Sequence, residues 1–457
     1  LEGTAMTDFL RDIFAALAVD GEPVTAGTVS INGQDDLPAW FAVTDLAAAS
    51  IGAAGAMLTR WAGSGAPVHV DRRLASLWFG MTIRPKGWQM PSVWDPIAGD
   101  YRTGDGWIRL HTNAPHHRRA ALSVLGDLPD REAVADAVAT WTADGLETAI
   151  VEAGGCAATM RDLVAWQNHP QGIAVAKQPL IQWSGTASVD APQQVRPHQR
   201  PLAGTRVLDL TRVLAGPVAG RFLAAYGADV LRIDPPGWDE PGVIPEVTLG
   251  KRCAGLDLTI AHHRQVFEDL LAGADVLLHG YRTGALAGLG YDRGRLARLN
   301  PALVDVCLNA YGWTGPWSGR RGFDSLVQMS SGIADHGRRA SGADKPVPLP
   351  VQALDHATGY LMAAAVLRAL LARAETGKVL SARLSLARTA ELLCTTRRAD
   401  TGTGFAPEKS ADTDGQVEQT AWGPARRVRF PLTIEGMIAS WDHPASKLRS
   451  AKPEWRG

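Results

Sequence analysis

Two long apolar stretches, each introduced by a lone carboxylate, restrict what this chain can fold into. Asp355 precedes an Ala- and Leu-rich run that reaches Gly377, and Asp45 precedes a similar run, LAAASIGAAGAMLTRW, that ends at Trp61. A helix that is apolar all the way round has no face to give to water, so the protein must enclose both. A carboxylate at such a helix start is favoured by unpaired backbone N–H groups and the helix dipole. Gly377 is a stop signal, and Val379 to Leu386 reads as a short strand or the start of a second helix. Asp45 to Arg73 has the spacing of Asp355 to Arg383, and Leu74 matches Leu384. We read the two stretches as an internal repeat.

The 457 residues provide material for two or three domains. A net charge of -1 and a pI near 6.9 argue against nucleic acid or an anionic membrane as a partner. No uncharged apolar run reaches the ~18 residues of a membrane-spanning helix, and no signal peptide is evident. The residues before Met6 read as an appended scar. A cytoplasmic location is expected, with Cys156, Cys253, Cys307 and Cys394 as reduced thiols and no CxxC. There is no HExxH. The pairs His116–His117 and His262–His263 fall on stretches that read as exposed, so no metal site is expected.

Along the chain, 7–20 is an amphipathic helix, and 100–110 (DYRTGDGWIRL) is a hairpin turning at Gly104–Gly106. Helical periods follow at 114–126, 130–152 and 160–168. The Pro-, Gln- and Ser-rich stretch 176–200 is the expected internal boundary. Beyond it the pattern becomes strand–loop–helix–strand: RVLDL at 206–210, a helix from Val218 to Tyr226, then DVLRID at 229–234. Further strands at 251–258, 276–279 and 303–308 alternate with helices at 262–272 and 294–299. This predicts an α/β fold, a Rossmann-like open parallel sheet with a smaller α+β domain. The first turn offers only Ala215-Gly216-Pro217 in place of GxGxxG, so an NAD cofactor is not expected. The tail, 396–457, opens with a polar segment expected to be mobile and reads as a solvated strap.

The stretch VLDLTRVLAGPVAGRFLAAYGADVLRIDPPG (207–237) resembles the opening of the family III CoA-transferases, the CaiB/BaiF family. GKRCAGLDL (250–258), YRTGALAGLGYDRGRLARLNPALV (281–304), AYGWTGPWSGRRGFDSLVQMSSGIA (310–334) and ALDHATGY (353–360) follow in the family's order. The N-terminal half resembles the family's later portion, so the order is inverted. A tail-type module (7–196) precedes a head-type, Rossmann-like CoA-binding module (201–395), and 396–457 forms a linker and strap. The resemblance implies a homodimer, since family members interlock in pairs.

It also implies acyl-CoA and carboxylic acid substrates, with coenzyme A entering as acyl-CoA and neither metal nor NAD. An aspartate in the position of Asp355 attacks the thioester, and CoA then passes through an aspartyl thioester. Such a residue must ionise, so a polar or dipole-stabilised setting is expected, with Gly359 letting substrate approach. Asp45 is the rival nucleophile. Asp324 stands where the family carries an acidic residue near the site, though pairing with Arg320 or Arg321 is an alternative. Val213, Leu214, Ala215 and Gly216 match the CoA-contacting turn. Arg282 and Arg321 are the favoured phosphate partners, ahead of Arg232, Lys251 and Arg252. An acyl-CoA racemase or isomerase is a second reading, disfavoured because racemases carry His where Phe323 stands. A non-catalytic CoA-ester-binding protein is the third.

Overall fold

A computed structural model describes residues 2–22, 24, 28–190, 198–398, 400–402 and 404–456. Six parallel strands run through the second half of the chain: β4 (Arg206–Leu210), β5 (Asp229–Asp234), β6 (Lys251–Gly255), β7 (Val276–His279), β8 (Val304–Asn309) and β9 (Lys378–Ser385). Their order in space is β6-β5-β4-β7-β8-β9. The sequence direction therefore reverses between β4 and β7, leaving a crevice at the strand ends where α/β sheets bind ligands. Runs such as VLLH in β7 are buried throughout, as strands covered on both faces must be. Lys251 and Asp209 pair at 2.8 Å beneath the first turn, and Lys251 Nζ also donates to Pro217 O.

A seventh strand comes from the first half of the chain. Gln182–Ser188 (β3) lies antiparallel to β9 at the sheet edge. The expected boundary at 176–200 thus contains a strand, because QWSGTAS can satisfy the open edge of β9; residues 191–197 lie outside the described set. Elsewhere the first helix spans Glu2–Leu17, and the helix expected over 130–152 breaks where Thr142 caps a new start at Ala143. The one expected from 160 begins at Leu163, capped by Asp162.

The repeat is visible in the backbone. The Asp45 helix (Val43–Ala62) and the Asp355 helix (Ala353–Thr376) pack against each other as the centre of the core. The residue before each has the same conformation, φ -76°, ψ 59° at Ala42 and φ -77°, ψ 65° at Gln352. Each helix ends on a left-handed glycine, Gly63 and Gly377, the usual way to turn a chain off a helix. Each is followed by a strand, Val68–Asp71 (β2) or β9, whose last residue caps the next helix. The Asp355 helix has 24 residues against 20, about one turn more. The equal spacing of Arg73 and Arg383 is therefore not a structural equivalence: the cap Asp71 corresponds to Ser385. By composition the Asp355 helix could cross a membrane, but 89% of its apolar window is buried within this protein.

The flanking strands are exchanged. Val29–Asn32 (β1) runs parallel to β2, whose antiparallel neighbour, Leu432–Ile434 (β10), comes from the C-terminal tail. β8 likewise runs parallel to β9, whose antiparallel neighbour β3 comes from the first half. Each unit thus receives its outer strand from chain that follows the other.

The tail departs from a solvated strap. Gly423–Arg427 pairs with Ile83–Pro85, Trp441 stacks on Trp78, and Trp455 Nε1 donates to Leu270 O. Its aromatic residues have apolar partners waiting, so burial wins over hydration. Arg427 reaches the buried Glu246, which also accepts from Arg221, Thr82 N, Thr82 Oγ1 and Ile83 N. Three distant segments thus share one carboxylate. Burial opposes its charge, but Arg221 and Arg427 prevail and hold its pKa down near about 2.

Glu246→Gln would leave both guanidiniums without a full counter-charge. Breaking a buried pair this way costs roughly 3–5 kcal/mol, to be read as a lower urea midpoint at pH 7. The contribution of Glu246 is present above its unfolded pKa of about 4.3 and is lost as pH falls toward 2. The mutant and parent urea midpoints should therefore converge in acid.

Candidate functional site

Two cavities meet at Asp355. One, of about 330 Å³, opens at the crevice between β4 and β7 and is lined by the turns following β4, β7 and β8. Val213, Ala215, Gly216, Arg282, Arg321 and Asp355 all line it. The other, of about 480 Å³, is lined by Val213, Leu214, Asp324 and Asp355 together with Phe79, Met81, Val93, Trp94 and His111. Asp355, Val213 and Phe323 face both. The favoured residues Asp355, Asp324, Val213, Leu214, Ala215, Gly216, Arg282 and Arg321 therefore surround one composite space, and part of its second chamber comes from the N-terminal module.

The turn after β4 is strained. Val213 has φ +62°, which a β-branched side chain rarely adopts. The bend ends at the Ala215–Ala225 helix, whose N-terminus no side chain caps. Gly216 and Gly359 permit this closeness in ways the sequence did not reveal. A Cβ on Gly359 would lie 2.3 Å from Ala215 O, so its role is to let two helices approach, not to admit substrate.

Asp355 sits in the first helical turn as expected, but the helix end favours a different carboxylate. Asp324 Oδ2 accepts from the backbone N of Asp355 at 2.9 Å, and Gln328 Nε2 donates to Asp324 Oδ1 at 2.5 Å. Asp324 pairs with neither Arg320 nor Arg321: Arg320 reaches Glu147 and Ala157 O, and Arg321 reaches Gly154 O. Burial, then the charge of Asp324, raises the pKa of Asp355 well above the usual carboxylate range. Burial lifts Asp324 to about 6 despite its hydrogen bonds. The expected dipole-stabilised carboxylate at 355 is thus a largely desolvated one, because Asp324 already occupies the anion position.

Asp45 has the same local frame but different surroundings. Its carboxylate is held by Arg72 and, at 3.2 Å, by Arg398; the same two arginines hold Asp36. It lines neither cavity.

Three of the possible phosphate partners are already engaged. Arg232 pairs with Asp234, Lys251 with Asp209 and Arg252 with Asp229, each at 2.8 Å. Arg212, which sequence reasoning passed over, lines the crevice, hydrogen-bonds Tyr281 Oη at 3.3 Å and lies 4.4 Å over the Trp238 ring. Among the described residues no carboxylate hydrogen-bonds it, and burial lowers its pKa. His117 also belongs to the site: it is fully buried in the crevice wall, where a pair on an exposed stretch was expected. The apolar neighbours that bury it, Phe323 and Trp238, are remote in sequence. For a metal, the described residues offer one grouping, His279, Asp305 and Cys307, whose ligand atoms lie within 4.8 Å of one another behind the crevice.

The CoA-transferase family III model matches residues 202–426. The chain is 36% identical over 207 residues to the acetyl-coenzyme A transferase nodX of Hypoxylon pulicicidum, covering 44% of this chain and 34% of that protein. It is 36% identical over 192 residues to the probable fatty acyl-CoA transferase Rv3272 of Mycobacterium tuberculosis, covering 39% and 48%. A solved CaiB/BaiF family protein from Brucella suis is 27% identical with a TM-score of 0.40, covering 50% of this chain and 65% of that one. The chain spans about a third to a half of the length of these curated relatives.

The Asp324/Asp355 pair predicts opposite pH trends for stability and reactivity. Unfolded aspartates titrate near about pH 4. The folded pair holds its protons longer, so its contribution to stability falls as pH rises from there through the raised folded values. Reaction at an ionised Asp355 should instead rise with pH, its rising limb displaced above the ordinary aspartate range. Asp324→Asn removes the neighbouring charge. It should move that rising limb of kcat/KM to lower pH, whereas a purely structural Asp324 would lower the plateau without moving the limb.

Proposed function

We propose that this protein, whose residues 202–426 match the CoA-transferase family III model, moves CoA from an acyl-CoA to a carboxylic acid through a thioester on Asp355. One observation carries the reading: Asp355 forms the shared wall of two chambers, one suited to CoA and one to an acyl group. The crevice offers Arg212, Arg282 and Arg321 to phosphates and an uncapped helix N-terminus to developing negative charge. The second chamber is lined by Phe79, Met81, Val93, Trp94 and Val351, which supports an apolar acyl group.

The steps conserve atoms without water. The Asp355 carboxylate attacks the donor carbonyl, the C–S bond breaks, and CoA leaves as a thiolate from a mixed anhydride. The thiolate attacks the aspartyl carbonyl and expels the donor carboxylate, leaving the Asp355 thioester. The acceptor carboxylate then attacks the aspartyl thioester and expels the thiolate, which takes the acceptor's acyl group and frees Asp355. Both chambers are lined from the two halves of the chain, which also exchange β3 and β10. The homodimer that the family resemblance implies is part of this proposal.

The racemase reading is weaker, because Phe323 cannot carry a proton. A binding protein without catalysis would leave Asp355 inert. Incubation with acyl-CoA, a hydroxylamine trap and peptide mass spectrometry decides between these: modification at Asp355, lost in Asp355→Asn and kept in Asp45→Asn, is expected. Label at Asp45, or none at either position, would refute the assignment. Arg212→Met should raise KM for the acyl-CoA roughly 10–100-fold, the worth of a charge-assisted contact; an unchanged KM would remove Arg212 from CoA binding.

A further inference from the structure

His111 is built into the second chamber in a way the transfer reaction does not use. It is 3% exposed and stacks on Phe323 with ring centroids 3.7 Å apart. Neither of its ring nitrogens has a hydrogen-bond partner among the described residues, and Nδ1 of His356, which lines the same chamber, has none either. Buried polar atoms are costly to leave unpaired, so a group that stays this way beside a cavity points to something that enters the cavity. Burial, then His117 and Arg109, pushes the His111 pKa well below its usual range. The ring is therefore neutral, with one N–H donor and one acceptor.

The rest of the lining restricts what that partner is. No lysine or arginine lines the chamber, whereas Glu240, Asp324 and Asp355 do. A second carboxylate on the substrate would meet three acids and no cation. A hydroxyl group both donates and accepts, matches a neutral imidazole and carries no charge into a chamber walled by Phe79, Met81, Val93 and Trp94. We propose that this chamber takes acyl chains bearing a hydroxyl group and that His111 is the specificity-determining residue that hydrogen-bonds it. This rests on the transfer reaction proposed above.

The test compares butyryl- and hexanoyl-CoA with their 2- and 3-hydroxy counterparts as CoA donors to the full chain. A site built to hydrogen-bond a substrate hydroxyl discriminates against the analogue lacking it. The expected result is a kcat/KM ratio of about tenfold or more in favour of at least one hydroxyacyl donor, falling to near one in His111→Phe and partly retained in His111→Gln. A parent ratio near one would overturn the proposal, as would His111→Phe lowering hydroxylated and plain donors alike. If no donor is turned over, the transfer reading fails separately. Titration calorimetry of the same pairs then decides the pocket: the same preference in Kd supports it and equal Kd values refute it.

Discussion

The packing of the Asp45 helix against the Asp355 helix is the constraint from which the rest of the structure follows. Both are apolar on every side, so neither can lie on a surface, and each supplies part of the other's cover. Small side chains make the layer thin: Gly52 and Gly55 admit Val29, Val68 and Leu432, and Gly359 admits Val218 and the carbonyl of Ala215. The six-strand parallel sheet covers the Asp355 helix, and the short three-strand sheet of β1, β2 and β10 covers the Asp45 helix. The exchanged strands β3 and β10 then complete each unit with chain that follows the other.

The same scaffold unit carries two aspartates to different ends. Both begin a buried helix after the same backbone bend. Asp45 meets two guanidiniums, whose fixed charges satisfy it and leave nothing for a ligand. Asp355 meets another acid and two cavities. A carboxylate without a counter-ion in a dry setting is poorly solvated, and a poorly solvated anion is the more reactive one once it forms. The difference lies in the second neighbours, Arg72 and Arg398 in one case and Asp324 and Phe323 in the other.

Much of this was legible in the chain itself. Strand–loop–helix–strand punctuation fixed the parallel sheet, because continuous apolar runs between Gly and Asp turns have few other uses. Asp355, the Val213–Gly216 turn, Asp324 and the two favoured arginines stood in blocks whose order resembled a family, and the fold brings them around the two adjoining chambers. Arg212 was passed over because nothing local separates it from other arginines; only the lack of a carboxylate partner marks it. His117 was unreadable for a related reason: its pair with His116 reads as exposed until Phe323 and Trp238 close over it, and nothing local marks His111, which Phe323 and Trp94 flank.

What the chain determined alone was therefore local and periodic: which segments are strands or buried helices, where they stop, and which residues stand at the ends of parallel strands. Those properties depend on side chains a few positions apart. Tertiary structure alone decided the rest. It set the one-turn offset between the repeats, the exchange of β3 and β10, the gathering of three segments on Glu246, and the choice of Asp355 over Asp45 as the carboxylate that faces a cavity. These depend on groups well separated in the chain, from 27 residues between Asp45 and Arg72 to 353 between Asp45 and Arg398, and no local pattern records which charge a buried carboxylate will meet.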